Sequence, residues 1–193
     1  QCLTHLSLEY TEARWFSFGQ PEPLPEATWP LSQPLPVLQE LRLSGYRWLC
    51  SLPAMSHWFV GLTALTRMTA RGCALAGGSG QLCFPPQLQQ LFMSCGTDGM
   101  QQLPCALQQL SALQMLSINE GQRHLCQLPS WLSELRSLEA MNLYYTCVAT
   151  EQPVLAQMPA LRVVKVPNLV PAAVVFGKAT HLLFGDVRRL PEP

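Results

Sequence analysis

Leucine and its apolar stand-ins return along this chain at the first, fourth and sixth places of a short pattern, L-x-x-L-x-L. The clearest copies are Leu38-Leu41-Leu43, Leu113-Leu116-Ile118 and Leu138-Met141-Leu143. Weaker copies are Leu65-Met68-Ala70, Leu88-Leu91-Met93 and Leu161-Val164-Val166, with partial ones at Leu3-Leu6-Leu8 and Ala179-Leu182-Phe184. From Leu38 to Leu161 the steps between copies are 27, 23, 25, 25 and 23 residues. The fourth and sixth places alternate with polar ones, the period-2 pattern of a short half-buried strand. Strands are therefore expected near residues 40–43, 66–69, 89–93, 114–118, 139–143 and 162–166.

A second apolar series leads into several of these strands at a spacing of three. Leu103-Pro104, Leu107, Leu110 and Leu113 form L-P-x-x-L-x-x-L-x-x-L, and Leu128-Pro129, Leu132, Leu135 and Leu138 repeat it. Leu155, Met158 and Leu161 give a shorter version. That spacing suits one or two turns of 3₁₀ or α-helix, with Pro at the start, where its missing N–H costs little. Each unit then reads as strand, loop, short helix and return. One unit alone cannot offset the entropy of ordering its own backbone; stacking, which buries both sides of each unit, can.

These residues resemble the leucine-rich repeat family, from about Leu38 to Leu190, in the form found in intracellular plant and algal proteins. The resemblance implies an α/β fold, a curved leucine-rich repeat solenoid. Its parallel sheet would line the concave face, with short helices, 3₁₀ turns and loops on the convex one. One departure stands out. The family usually carries Asn or Cys at the ninth place, where it satisfies backbone groups in the turn after the strand. Cys73 fits, but Tyr46, Gly96, Gly121 and Thr146 hold the equivalent places, and Cys95 and Cys147 fall one residue off. Those turns are expected to be irregular.

The expected organisation is a single domain over residues 1–193, with about seven to eight irregular repeats. Residues 21–36 carry six prolines and read as an extended insertion, which lengthens the first step. The chain opens on Gln1 with a strand pattern close behind, and closes on what resembles the start of another L-P step; it is read as a segment truncated at both ends.

Charge narrows the partners. Lys+Arg and Asp+Glu are both 12, so no basic excess argues for nucleic acid. No run of about 18 apolar residues is present, so no membrane span is expected. The eight cysteines include no C-x-x-C pair. One repeat step would stack Cys73 on Cys95 and Cys83 on Cys105, but free cysteine as a small buried hydrophobe is the preferred reading. Cytoplasmic residence follows as an expectation.

Candidate chemistry is thin. His5, His57, His124 and His181 include no pair at metal-ligand spacing. His124 and Cys126 are two residues apart, but no base-orienting partner or oxyanion hole accompanies them. Gly77-Gly78-Ser79-Gly80 lacks the Lys of a phosphate loop. The expectation is no enzyme, no metal and no cofactor.

What remains is a surface. Alternation puts the third, fifth and seventh places of each copy on one face, including Glu40, Arg42, Arg67, Thr69, Gln90 and Phe92. Arg42, Arg67, Arg71, Phe92, Met115, Asn142 and Tyr144 form the expected protein-binding set, an aromatic and arginine composition typical of interface hot spots. The five tryptophans are expected to pack between units or under loops instead. The expected function is a protein–protein interaction module, the recognition segment of a larger cytosolic sensor or scaffold. The alternative is an architectural segment of a cytoskeletal or axonemal complex with no dedicated ligand site.

Overall fold

A computed structural model describes residues 3–9, 35–44, 58–71, 84–95, 103–120, 125, 127–143, 146, 152–166 and 181–184. Eight strands lie within them: β1 (His5–Glu9), β2 (Glu40–Ser44), β3 (Arg67–Arg71), β4 (Gln90–Cys95), β5 (Met115–Glu120), β6 (Ala140–Asn142), β7 (Val163–Val166) and β8 (His181–Phe184). They form one sheet in chain order, β1 to β8, and every neighbouring pair is parallel. The expected strands are all present. The partial copies at the two ends join the same sheet, with Leu6 opposite Leu41 and Leu182 opposite Val164.

The strands after β2 begin one residue later than the pattern suggested: like β2, each starts two residues past the first leucine of its copy. The carbonyl of the residue just before each strand accepts two successive N–H groups from the next repeat. Gln39 O takes the N–H groups of Thr66 and Arg67; Thr66 O takes those of Gln89 and Gln90; Gln89 O takes those of Gln114 and Met115. The series continues through Gln114 O and Glu139 O. Thr4 O begins it, accepting from Gln39 and Glu40. The longer step between β1 and β2 thus leaves the register unchanged.

The leucine spacing of three is realised as consecutive i→i−3 hydrogen bonds. Leu107 N–H donates to Pro104 O, Leu110 to Leu107 and Leu113 to Leu110; Leu132, Leu135 and Leu138 repeat the chain from Pro129. Both runs contain a 3₁₀ segment, Cys105–Gln109 and Ser130–Glu134. Three residues per turn puts every third side chain on one side, and all six of these leucines are buried. A short α-helix, Pro153–Gln157, stands in the equivalent place of the next repeat and packs beside the second 3₁₀ segment.

One hydrophobic cluster joins these leucines to the inward strand residues. Leu41, Met68, Leu91, Leu116, Met141 and Val164 face each other in register and are buried. Trp58 is buried and meets Phe59 edge to face at 5.8 Å, and Phe59 meets Phe84 at 6.3 Å. Trp131 is half-buried against the core. Trp15, Trp29 and Trp48 lie outside the described residues, as do residues 21–34 of the proline-rich segment and the ninth-place residues Tyr46, Cys73, Gly96 and Gly121.

One ninth-place residue is described. Thr146 is buried; its Oγ1 donates to Leu143 O at 2.8 Å and its N–H reaches the same carbonyl at 3.1 Å. Its hydroxyl thus satisfies backbone in the turn after β6. Cys105 is free and exposed, and its suggested neighbour Cys83 lies outside the described residues.

Candidate functional site

The candidate site is the sheet face turned away from the core. Because inward residues alternate with outward ones, the parallel register lines the outward side chains up in rows. The first row runs His5, Glu40, Arg67, Gln90, Met115, Ala140, Val163. The second runs Ser7, Arg42, Thr69, Phe92, Ser117, Asn142, Lys165. A third begins Glu9, Ser44, Arg71, Ser94, Asn119.

Six of the seven expected binding residues therefore share this face: Arg42, Arg67, Arg71, Phe92, Met115 and Asn142. Tyr144 lies outside the described residues. They do not converge on one point. Arg42 and Asn142 sit four strands apart, about 19 Å at the usual strand spacing, so a single small ligand cannot touch both.

Two details differ from the expectation. Phe92 and Met115 are half-buried, not fully exposed, because neighbouring strands flank them closely. Arg42 and Arg67 are not independent surface cations either; Glu40 stands between them. Its side chain is only 9% exposed, and its Oε1 accepts from Arg42 Nε at 2.7 Å. Its Oε2 lies 3.5 Å from Arg67 Nη1 and 3.6 Å from His5 Nε2. Arg67 Nε in turn donates to Gln90 Oε1 at 2.9 Å. A short-range network on β1 to β4 thus fixes both guanidinium groups. Further along, Asn142 Nδ2 donates to Ser117 Oγ at 3.2 Å.

Sequence reasoning put Glu40 on this face but missed its role. The signal was present: Glu40 and Arg42 are two apart on one strand, and the 27-residue step sets Arg67 beside Glu40. Thr69 was also placed on this face, but as an ordinary surface residue. It is 3% exposed, and its Oγ1 has no hydrogen-bond partner.

Burial by itself would raise the Glu40 carboxyl. The hydrogen bond from Arg42 and the charges of Arg42, Arg67 and His5 outweigh it and hold the group below the ordinary glutamate value of 4.5. The folded state thus favours the carboxylate. The resulting stabilisation is present above the ordinary glutamate range and is lost as pH falls through the lowered folded value. Urea midpoints followed from pH 7 downward should fall more steeply for the wild-type chain than for Glu40→Gln once pH drops below that range. Parallel curves would show that Glu40 titrates alike in the folded and unfolded chains.

Among the described residues no group of three or more His, Cys, Asp and Glu side chains could hold a metal ion. No helix among them is long and apolar enough to cross a membrane. No protein-family model matches the chain, and no curated protein is significantly similar to it.

Proposed function

We propose that this chain is a leucine-rich repeat solenoid acting as a protein-interaction module, the recognition segment of a larger cytoplasmic sensor or scaffold. Its ligand surface is the outward, concave face of the parallel sheet. The observation that carries the reading is the row arrangement, in which an unbroken register sets Arg42, Thr69, Phe92, Ser117 and Asn142 side by side across five strands. A surface of this kind mixes aromatic, arginine and small polar groups on a stiff frame, the composition of an interface centre. The proposal includes no catalytic role and no cofactor.

Phe92→Ala, Tyr144→Ala and Arg67→Ala should each weaken a partner by about 1–3 kcal/mol, the range for hot-spot truncations. Changes on the helical side should leave binding alone. Gln108→Ala is one such control, since Gln108 Nε2 only bonds Glu134 Oε2 at an exposed site. Affinity capture from source cells, with wild-type and the triple variant compared quantitatively, decides the matter. Recovery of the same partners at the same yield would remove the outward face as the contact surface. One observation favours the architectural alternative: Glu40 already neutralises part of the arginine charge from within. A spacer would show no partner sensitive to any of the three changes.

A further inference from the structure

We propose that the β2–β4 end of the outward face takes a carboxylate from an extended acidic peptide segment of a partner protein, an inference that rests on the interaction reading above. Its charge balance comes first. The Arg42 and Arg67 guanidinium groups on β2 and β3 share the single carboxylate of Glu40, so this described pair of arginines keeps a positive charge after its internal pairing.

The geometry shows how that charge is presented. Arg42 uses Nε on Glu40, and Arg67 uses Nε on Gln90 and Nη1 on Glu40. Both side chains are 40% exposed, and their Nη2 groups are not engaged in these contacts. A guanidinium held through Nε keeps its planar fork oriented, which suits a second carboxylate better than a freely rotating cation would. Glu40 thus acts as a positioning residue that orients two arginines for an incoming anion.

Thr69 supplies an independent observation. Met68 and Ala70 point into the core, so Thr69 stands on the outward face, between Arg42 and Phe92 in register. Its Oγ1 is buried with no hydrogen-bond partner. A buried hydroxyl in that state destabilises the unbound chain. A partner acceptor that reaches between Arg42 and Phe92 would engage it and relieve that cost. Phe92 gives the same segment an apolar contact one strand further along. Charge, orphan hydroxyl and aromatic ring therefore ask for a carboxylate next to an aromatic or aliphatic side chain.

The test is selection of a phage-displayed random decapeptide library on the immobilised 193-residue chain, followed by titration of the recovered peptides in solution. Peptides rich in Asp and Glu beside an apolar residue are expected. Their affinity should fall about tenfold on Arg42→Gln or Arg67→Gln, the scale of a close charge pair, and fall with added salt. Glu40→Gln removes the competing charge while its amide oxygen can still accept from Arg42 Nε and Arg67 keeps its bond to Gln90, so it should tighten the same peptides. Thr69→Val should weaken them while raising the urea midpoint of the free chain. Misfolding cannot imitate either of the last two results. Recovery of basic or uncharged peptides, or of none, overturns the proposal, as does indifference of acidic peptides to both arginines. Peptides dependent on Phe92 but on neither arginine would leave the broader reading standing; peptides indifferent to all three would remove both. A single-stranded oligonucleotide competing through the same arginines at equal affinity would show a general polyanion site and would also overturn the proposal.

Discussion

Leu116→Asp should destabilise the chain by about 4 kcal/mol or more, while Gln114→Asp, two residues away, should cost about 0.5 kcal/mol or less. Leu116 is fully buried between Leu91 and Met141 of the neighbouring strands. An aspartate there would place an ionised carboxylate among apolar side chains with no donor in register. It would either stay charged without a partner or take up a proton, and both routes weaken the fold. Gln114 contributes differently. Its side chain is exposed, and its carbonyl accepts the N–H groups of Glu139 and Ala140. That backbone role survives any side-chain change. Urea melts of the two variants beside the wild type measure the difference. Equal midpoints would mean that the strand faces are assigned the wrong way round.

The same contrast marks what could be read from residues and what could not. Alternation within L-x-x-L-x-L was enough to place the strands, because a parallel strand in this sheet has one face on the core and one away from it. Even the weak copy Leu65-Met68-Ala70 sits in register with its strong neighbours. The three-residue leucine spacing suited either a 3₁₀ or an α-helical turn, and both occur: 3₁₀ at Cys105–Gln109 and Ser130–Glu134, α-helix at Pro153–Gln157. The one-residue offset at strand starts was readable too: β2 begins two residues past Leu38, and the same step from Leu65, Leu88, Leu113, Leu138 and Leu161 gives each later start.

The candidate site was readable only in part. Periodicity assigned Arg42, Arg67 and Phe92 to the outward face and did so correctly. It also set Glu40 beside both arginines, but it did not fix how deeply Glu40 would sink between them or which of their nitrogens it would hold. Pairing of that kind depends on side-chain rotamers, and the face pattern does not fix them. Nor could it say that a threonine in an outward position would be covered. Thr69 is short, and it stands in register between the longer Arg42 and Phe92. A short side chain between long ones on a packed sheet face loses its access to water, so its hydroxyl is left without a partner. Outward, in such a sheet, does not mean exposed.

Leu132→Ala carries the other large expected effect, about 2–5 kcal/mol, the usual range for truncating a buried leucine. Leu132 is fully buried, and it is the central residue of the second 3₁₀ segment. Its N–H donates to Pro129 O at 3.2 Å and its carbonyl accepts from Leu135 at 3.1 Å. Alanine keeps both backbone bonds, so the loss comes from the cavity and the missing transfer energy, not from a broken turn. The position within the fold argues for the upper half of that range. The 3₁₀ segment packs against its counterpart Cys105–Gln109 on one side and the helix Pro153–Gln157 on the other. Stiff neighbours on both sides leave little room for the site to collapse. Ser133 offers the control one residue further on. Its Oγ bonds Ser130 O within the same turn at the surface, and Ser133→Ala should change stability by about 0.5 kcal/mol or less. Urea midpoints give the two stabilities. Amide exchange should show protection falling at Leu107 and Leu155 as well as Leu135 in the Leu132→Ala variant, since stacked repeats share their interfaces. A loss confined to the mutated repeat, or a midpoint shift no larger than that of Ser133→Ala, would mean that the helical side is a loose covering and that the strands alone hold the chain together.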